Sequence, residues 1–98
     1  MSEIVLVRYT VAAGQEERNA ALVRAVYEEL GAAQPDGFRY ATLRERASFM
    51  HLAVNEGGRS PLPDLTAFKA FQAGLRERCV AGPDFARPAL IGSHRLLL

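Results

Sequence analysis

One cysteine, Cys79, leaves the chain no partner for an internal disulfide. That matches a reducing compartment and makes a buried structural thiol the ordinary reading of the residue. Neither sign of charge dominates. Twelve Lys and Arg stand against eleven Asp and Glu, a formal +1, so the chain has no field with which to hold a nucleic acid or an anionic membrane surface. The start, Met1, Ser2 and Glu3, lacks a basic region followed by a long apolar stretch and a cleavage site. Internal repeats and low-complexity tracts are missing. His94 stands at no metal-ligand spacing from His51 or Cys79. These absences predict a cytoplasmic protein with no metal, nucleic-acid or membrane partner.

What is present is material for one core. The 98 residues are 49% apolar and 23% charged, close to the globular average, so residues 1–98 form a single domain. A domain of this size buries little more than roughly 60% of the surface its unfolded chain exposes, so association adds useful stability. Ile4 to Val11 is β-branched and aromatic and reads as a central strand. Gly14 is placed to cap a helix with Glu16 and Glu17 in its first turn. Val23, Val26, Tyr27 and Leu30 mark its apolar stripe, and Gly31 supplies a left-handed stop. After a turn at Gln34, Pro35, Asp36 and Gly37, Phe38 to Leu43 and Ser48 to Val54 form a hairpin. Asn55 to Pro63 is rich in Gly and Pro and reads as a mobile loop on the rim of a pocket. Asp64 then caps a second helix that carries Phe68, Phe71, Leu75 and Cys79 inward and stops near Gly82 and Pro83. A last strand is bracketed by Ala89 to Ile91 and Leu96 to Leu98.

The order βαββαβ is the ferredoxin-like α+β arrangement: one antiparallel four-stranded sheet with both helices on one face. A solvated second face would show strict alternation of apolar and polar residues. Instead Val5, Val7, Tyr9 and Val11 are accompanied by Ile4 and Leu6, and Met50, Leu52 and Val54 by Phe49 and Ala53. Both faces are apolar, and the simplest cover for the second is the same face of another copy, a homodimer.

Val7 to Val11 followed by Gly14, Pro35 to Tyr40, Phe49 to Leu52, and Phe68 to Phe71 resemble the antibiotic-biosynthesis-monooxygenase-like family of dimeric α+β barrels, in particular its small bacterial proteins of unassigned function. The resemblance spans nearly the whole chain and implies a dimeric barrel. It includes cofactor-free oxygenases of phenols and quinols and haem-degrading enzymes. Oxygenases of this kind commonly carry an acidic residue close to a Trp after the third strand. Here Glu56 is followed by Gly57 and Gly58 and the chain has no Trp, which argues against haem degradation.

If Met50, Leu52 and Val54 pack under the helices, alternation turns Phe49, His51, Ala53 and Asn55 into the space between two sheets, with Phe38, Tyr40, Thr42 and Arg44 beside them and Arg8 and Thr10 from the first strand. One His, one Tyr, two Arg and an Asn in an apolar cavity suit a small, flat, acidic aromatic ligand. In an oxygenase without a cofactor, His51 would take a phenolic proton, Arg8 or Arg44 would hold the anion and Tyr40 would orient it. On this placement His51 is dispensable for folding. The alternative is a binding or sensing dimer with the same cavity and no poised base. An RNA-binding domain of this order is excluded, because Ser48 to Leu52 lacks the Gly- and aromatic-rich third-strand motif.

Overall fold

In a computed structural model that describes residues 2–96, the chain forms β1 (Glu3–Val11), α1 (Glu16–Ala33), β2 (Phe38–Glu45), β3 (Ser48–Asn55), a 3₁₀ turn (Leu62–Asp64), α2 (Thr66–Gln72), α3 (Leu75–Arg78) and β4 (Cys79–Ala86). The sheet is antiparallel with order β2-β3-β1-β4. Each crossover therefore skips one strand, as the ferredoxin-like order requires.

Long apolar stripes decide the first half. Asn19, Ala20, Val23 and Val26 of α1 are buried against Tyr9, Val11 and Phe49 of the sheet. Gly31 does not end this helix. A glycine inside a helix costs only about 1 kcal/mol, and α1 runs on until Gln34, at φ 43°, directs its N–H to the Leu30 carbonyl ahead of Pro35. At the other end Gln15 is the cap residue, while Gly14, at φ 91°, sits in the preceding turn and donates its N–H to the Glu16 carboxylate.

The second crossover departs from the sequence reading. Asp64 closes the 3₁₀ turn instead of capping a helix, and Leu65 takes the cap position of α2. No side chain of its own caps α2. Glu29, reaching across from α1, accepts from the Thr66 and Ala67 amides at 3.2 and 2.8 Å. Helix α2 stops after seven residues at Ala73, and Gly74 turns the chain at φ 78° into the single turn of α3. Phe71 and Leu75 still point inward across this break, so the apolar spacing was preserved while the helix was not.

Cys79 consequently lies in the sheet, as the first residue of β4 opposite Val11. Gly82 and Pro83, which read as a stop, lie within this edge strand beside a register shift, where the missing proline N–H is tolerated. Gly82 is required there. Its φ is 77°, and a Cβ would fall 2.7 Å from the Arg8 carbonyl oxygen. The stretch from Ala89 to Leu96, including His94, forms no strand, and Leu97 and Leu98 lie outside the described residues. A strand placed there lost to one that follows α3 directly and pairs with β1.

The loop before the 3₁₀ turn is anchored. Leu62 is buried in the core, Arg59 pairs with Asp64 at 2.8 Å, and Asn55 Nδ2 donates to the Gly58 carbonyl. The sheet face away from the helices carries Ile4, Leu6, Leu43, Met50, Leu52 and Val54. Leu43 on that face is 61% exposed.

Candidate functional site

Strand alternation and register decide which side chains meet beneath the helices. Tyr9 is paired with Phe49, Val7 with His51, and His51 in turn with Thr42. Since Tyr9, Val11 and Phe49 belong to the core under α1 and α2, His51, Tyr40 and Thr42 share that face. His51 is only 4% exposed and both ring nitrogens are engaged. Its Nε2 lies 2.7 Å from the Tyr9 hydroxyl; its Nδ1 lies 2.7 Å from the Tyr40 hydroxyl and 3.2 Å from the Thr42 hydroxyl. Thr42 continues to the Tyr27 hydroxyl at 2.7 Å. On the other side, Asn19 donates its amide N–H to the Tyr9 oxygen at 2.9 Å, and Arg78 donates to the Asn19 carbonyl oxygen from Nε and Nη2 at 3.2 and 3.1 Å. Six side chains from β1, α1, β2, β3 and α3 thus form one continuous chain from Arg78 to Thr42, with Tyr27 beyond it. Among the described residues no buried side-chain polar atom lacks a partner.

Burial sets the protonation states. Loss of solvent drops His51 to about 4, so the imidazole is neutral at physiological pH. The same loss raises Tyr9 to about 12. Tyr40 is pushed up by burial and further by the neighbouring hydroxyls of Tyr27 and Tyr9. Each phenol therefore keeps its proton and works as a hydrogen-bonding group.

This cluster closes the polar end of a cavity of about 160 Å³ between the sheet and α2. Val5, Val7, Phe38, Phe68 and Phe71 make its walls apolar, and Leu62 and Ser60 of the anchored loop close one side. An apolar cavity of about 150 Å³ accommodates one benzene ring, so this space fits a single aromatic ring and not a fused polycycle.

The residues singled out in the sequence divide between two places. Tyr40, His51 and Asn55 line this cavity, and Thr42 stands behind it on His51. Arg8, Arg44 and Phe49 meet at a wide open depression near the hairpin end of the sheet. His51, Phe49 and Asn55, and with them Tyr40 and Thr42 of β2, face the helices and not a second sheet, because both faces of β3 are apolar and hydrophobicity alone could not choose between them. Arg8 is paired with Met50 and so projects from the opposite face to His51. Arg44 is on the helix face but is held by Glu17 at 3.0 Å and lies over the Phe49 ring, outside the cavity. Neither arginine reaches a ligand in the cavity, and the expectation of an acidic ligand held by guanidinium loses its basis.

Tyr9, Asn19 and Arg78 were not singled out. The signal was available for two of them: Asn19 stands four residues before Val23 on the α1 stripe, and Arg78 three after Leu75. A polar residue on an apolar stripe is the informative exception. Among the described residues, no cluster of His, Cys, Asp and Glu is grouped to hold a metal ion, and no helix is long and apolar enough to cross a membrane.

No protein-family profile matches the chain, and no curated protein is significantly similar in sequence. Similarity appears in structure. A candidate antibiotic biosynthesis monooxygenase from Nitrosomonas europaea superposes with a TM-score of 0.74 at 9% identity, over 92% of this chain and 90% of its own. One from Chloroflexus aurantiacus gives 0.68 at 15% identity, over 96% and 97%. A variant of SnoaB, a cofactor-independent oxygenase from Streptomyces nogalater, gives 0.59 at 20% identity, over 96% and 97%. The fold is that of antibiotic-biosynthesis-monooxygenase-like proteins. This agrees with the resemblance read from the sequence segments, and at these identities it speaks for the fold.

Proposed function

We propose that this chain is a cofactor-independent monooxygenase that takes a small, single-ring phenol or quinol into the cavity between the sheet and α2. The observation that carries the reading is a ring-sized, mainly apolar cavity lined by the buried Tyr40–His51–Tyr9 cluster, with Glu3, Asn55, Ser60 and Gln72 as its other polar lining. The ligand oxygen would meet the Tyr40 hydroxyl, which would orient the ring and hold its phenolate form by a hydrogen bond before electron density moves from the ring to dioxygen. In the net reaction of a phenol, one oxygen atom becomes a new ring carbonyl and the other leaves as water with two hydrogens of the substrate. His51, with both nitrogens engaged by hydroxyls, acts on the ligand only through Tyr40. The fold shared with SnoaB and the two candidate monooxygenases supports this class of chemistry.

A homodimer belongs to the same proposal, since Ile4, Leu6, Leu43, Met50 and Leu52 form an apolar sheet face on which Val54 is buried within the chain and Leu43 is 61% exposed. A second reading, a dimer that binds the same ligands without turning them over, is favoured by one observation: the imidazole at the site is a weak base, lowered to about 4. Incubation with single-ring quinols under isotopically labelled dioxygen separates the two. Turnover places one labelled atom in the product, and Tyr40→Phe abolishes it while the protein stays folded. Ligand-dependent thermal stabilisation without oxygen uptake selects the binding protein. Absence of both refutes the cavity as the site.

A further inference from the structure

We infer that Arg78 and Asn19 are positioning residues that set the direction of every hydrogen bond through Tyr9 and His51, so that Tyr40 offers the cavity a proton and the ligand atom it meets is an acceptor oxygen. The proton order is fixed from the buried arginine outward. A guanidinium has donors only. Arg78 is 6% exposed, and its nitrogens donate to the Asn19 side chain and to the carbonyls of Phe71 and Ala73. The Asn19 atom facing it must therefore be the carbonyl oxygen, which turns the amide NH₂ toward Tyr9.

Tyr9 has one proton and two partners. Asn19 donates to its oxygen, so the proton goes to the remaining partner, His51 Nε2. That nitrogen must be bare, and in a neutral imidazole the ring proton is then on Nδ1. Nδ1–H points at the Tyr40 oxygen, 2.7 Å away, with Thr42 the longer alternative at 3.2 Å. Tyr40, already accepting from His51, has its own proton left, and an acceptor in the cavity it lines competes for that proton with the neighbouring Thr42 hydroxyl. A carbonyl, quinone or phenolate oxygen satisfies that donor; a ligand group with donors only does not.

The identity of the ligand atom rests on the proposed use of the cavity, whereas the proton order rests on the hydrogen bonds alone, and the two are tested separately. Long-range proton–nitrogen correlation spectra of the ligand-free, nitrogen-labelled protein at neutral pH are expected to show His51 with pyrrole-type Nδ1 and pyridine-type Nε2. In Asn19→Asp the carboxylate still accepts from Arg78 but now also accepts the Tyr9 proton. The two nitrogens should then exchange identities, a change that a merely structural role for Asn19 would not cause. A proton on Nε2 in the wild type overturns the inference, as does a folded Asn19→Asp protein that keeps the wild-type tautomer. Should that variant not fold, the wild-type spectrum decides alone. For the ligand, acetophenone and its hydrocarbon isostere cumene are the probes: Tyr40→Phe should weaken acetophenone roughly tenfold and leave cumene unchanged. Equal loss for both, or none for acetophenone, overturns Tyr40 as the donor. Binding of neither probe to the wild type refutes the cavity reading and leaves the tautomer result standing.

Discussion

Replacing Tyr9 with Phe removes one oxygen atom and keeps the ring, whose centroid is stacked 5.5 Å from that of Phe49, so the apolar packing is nearly conserved. The loss is polar and double. Asn19, fully buried, loses its acceptor outright, and His51 Nε2, itself buried, loses its partner at the end of the cavity. At about 1–3 kcal/mol for each stranded group, the variant should be destabilised by about 3 kcal/mol or more, a large part of the roughly 5–15 kcal/mol of a whole domain. Tyr40→Phe is the internal control. It also deletes a hydroxyl 2.7 Å from His51, but Thr42 stands 3.2 Å from the same nitrogen and can take over, so the cost should stay near about 1 kcal/mol. Urea unfolding followed by far-ultraviolet circular dichroism reads both. With a slope of about 1–3 kcal/mol per molar urea, Tyr9→Phe should lower the midpoint by roughly 1–3 M. Protein concentration must be matched, because an associating chain gains stability with concentration. If Tyr40→Phe costs as much as Tyr9→Phe, the buried chain from Arg78 to His51 does not hold the fold as described.

Burial of His51 makes stability depend on pH in a definite direction. Its folded value, about 4, lies below the unfolded 6.5, so the contribution is complete above pH 6.5 and is lost as pH falls toward 4, on the order of 3 kcal/mol in all. His51→Gln should flatten that part of the urea-derived profile, and an unchanged slope would contradict the burial. Gly74→Ala and Gly82→Ala both place a side chain at positive φ, yet only the second drives a Cβ into backbone, at 2.7 Å. Thermal unfolding should show about 1 kcal/mol for the first and more than about 2 kcal/mol for the second, with the reverse order refuting the β1–β4 geometry. Light scattering should give twice the 10.7 kDa chain mass, and Leu52→Glu on the open sheet face should halve it. A wild-type monomer would remove the basis for covering that face with a second copy.

The parts of this fold that were legible are those decided by neighbours in sequence. Strand β1, helix α1 and the β2–β3 hairpin follow from residue type, helical spacing and a short connection. The second crossover was not, because its outcome depends on partners far along the chain. Phe68, Phe71 and Leu75 keep helical spacing through the break at Ala73 and Gly74, so the pattern alone gives no sign of it. β4 is defined by pairing with β1, and pairing overrides the turn character of Gly82 and Pro83. The candidate site shows the same division. Tyr40, Thr42 and His51 were grouped correctly because two adjacent strands in a hairpin share a phase. Arg8 does take the face away from the helices, as alternation along β1 implies; it is parted from His51 because β3 has the opposite phase to the expected one. Polarity misled at His51, where Met50 and Leu52 are the more apolar pair, yet the imidazole is buried with three hydroxyl partners contributed by Tyr9, Tyr40 and Thr42.

Helix α2 supplies Phe68 and Phe71 to the wall of the cavity, yet it has only seven residues and takes its N-terminal hydrogen bonds from Glu29 on another helix. A segment this short does not hold helical structure in water by itself. The wall therefore exists only while it is docked, and undocking and unwinding are one event. Passage of a ring-sized molecule past that wall would proceed by local melting of two turns rather than by rotation of a rigid flap. Its rate would then follow the local stability of α2, to which Glu29 contributes through the Thr66 and Ala67 amides.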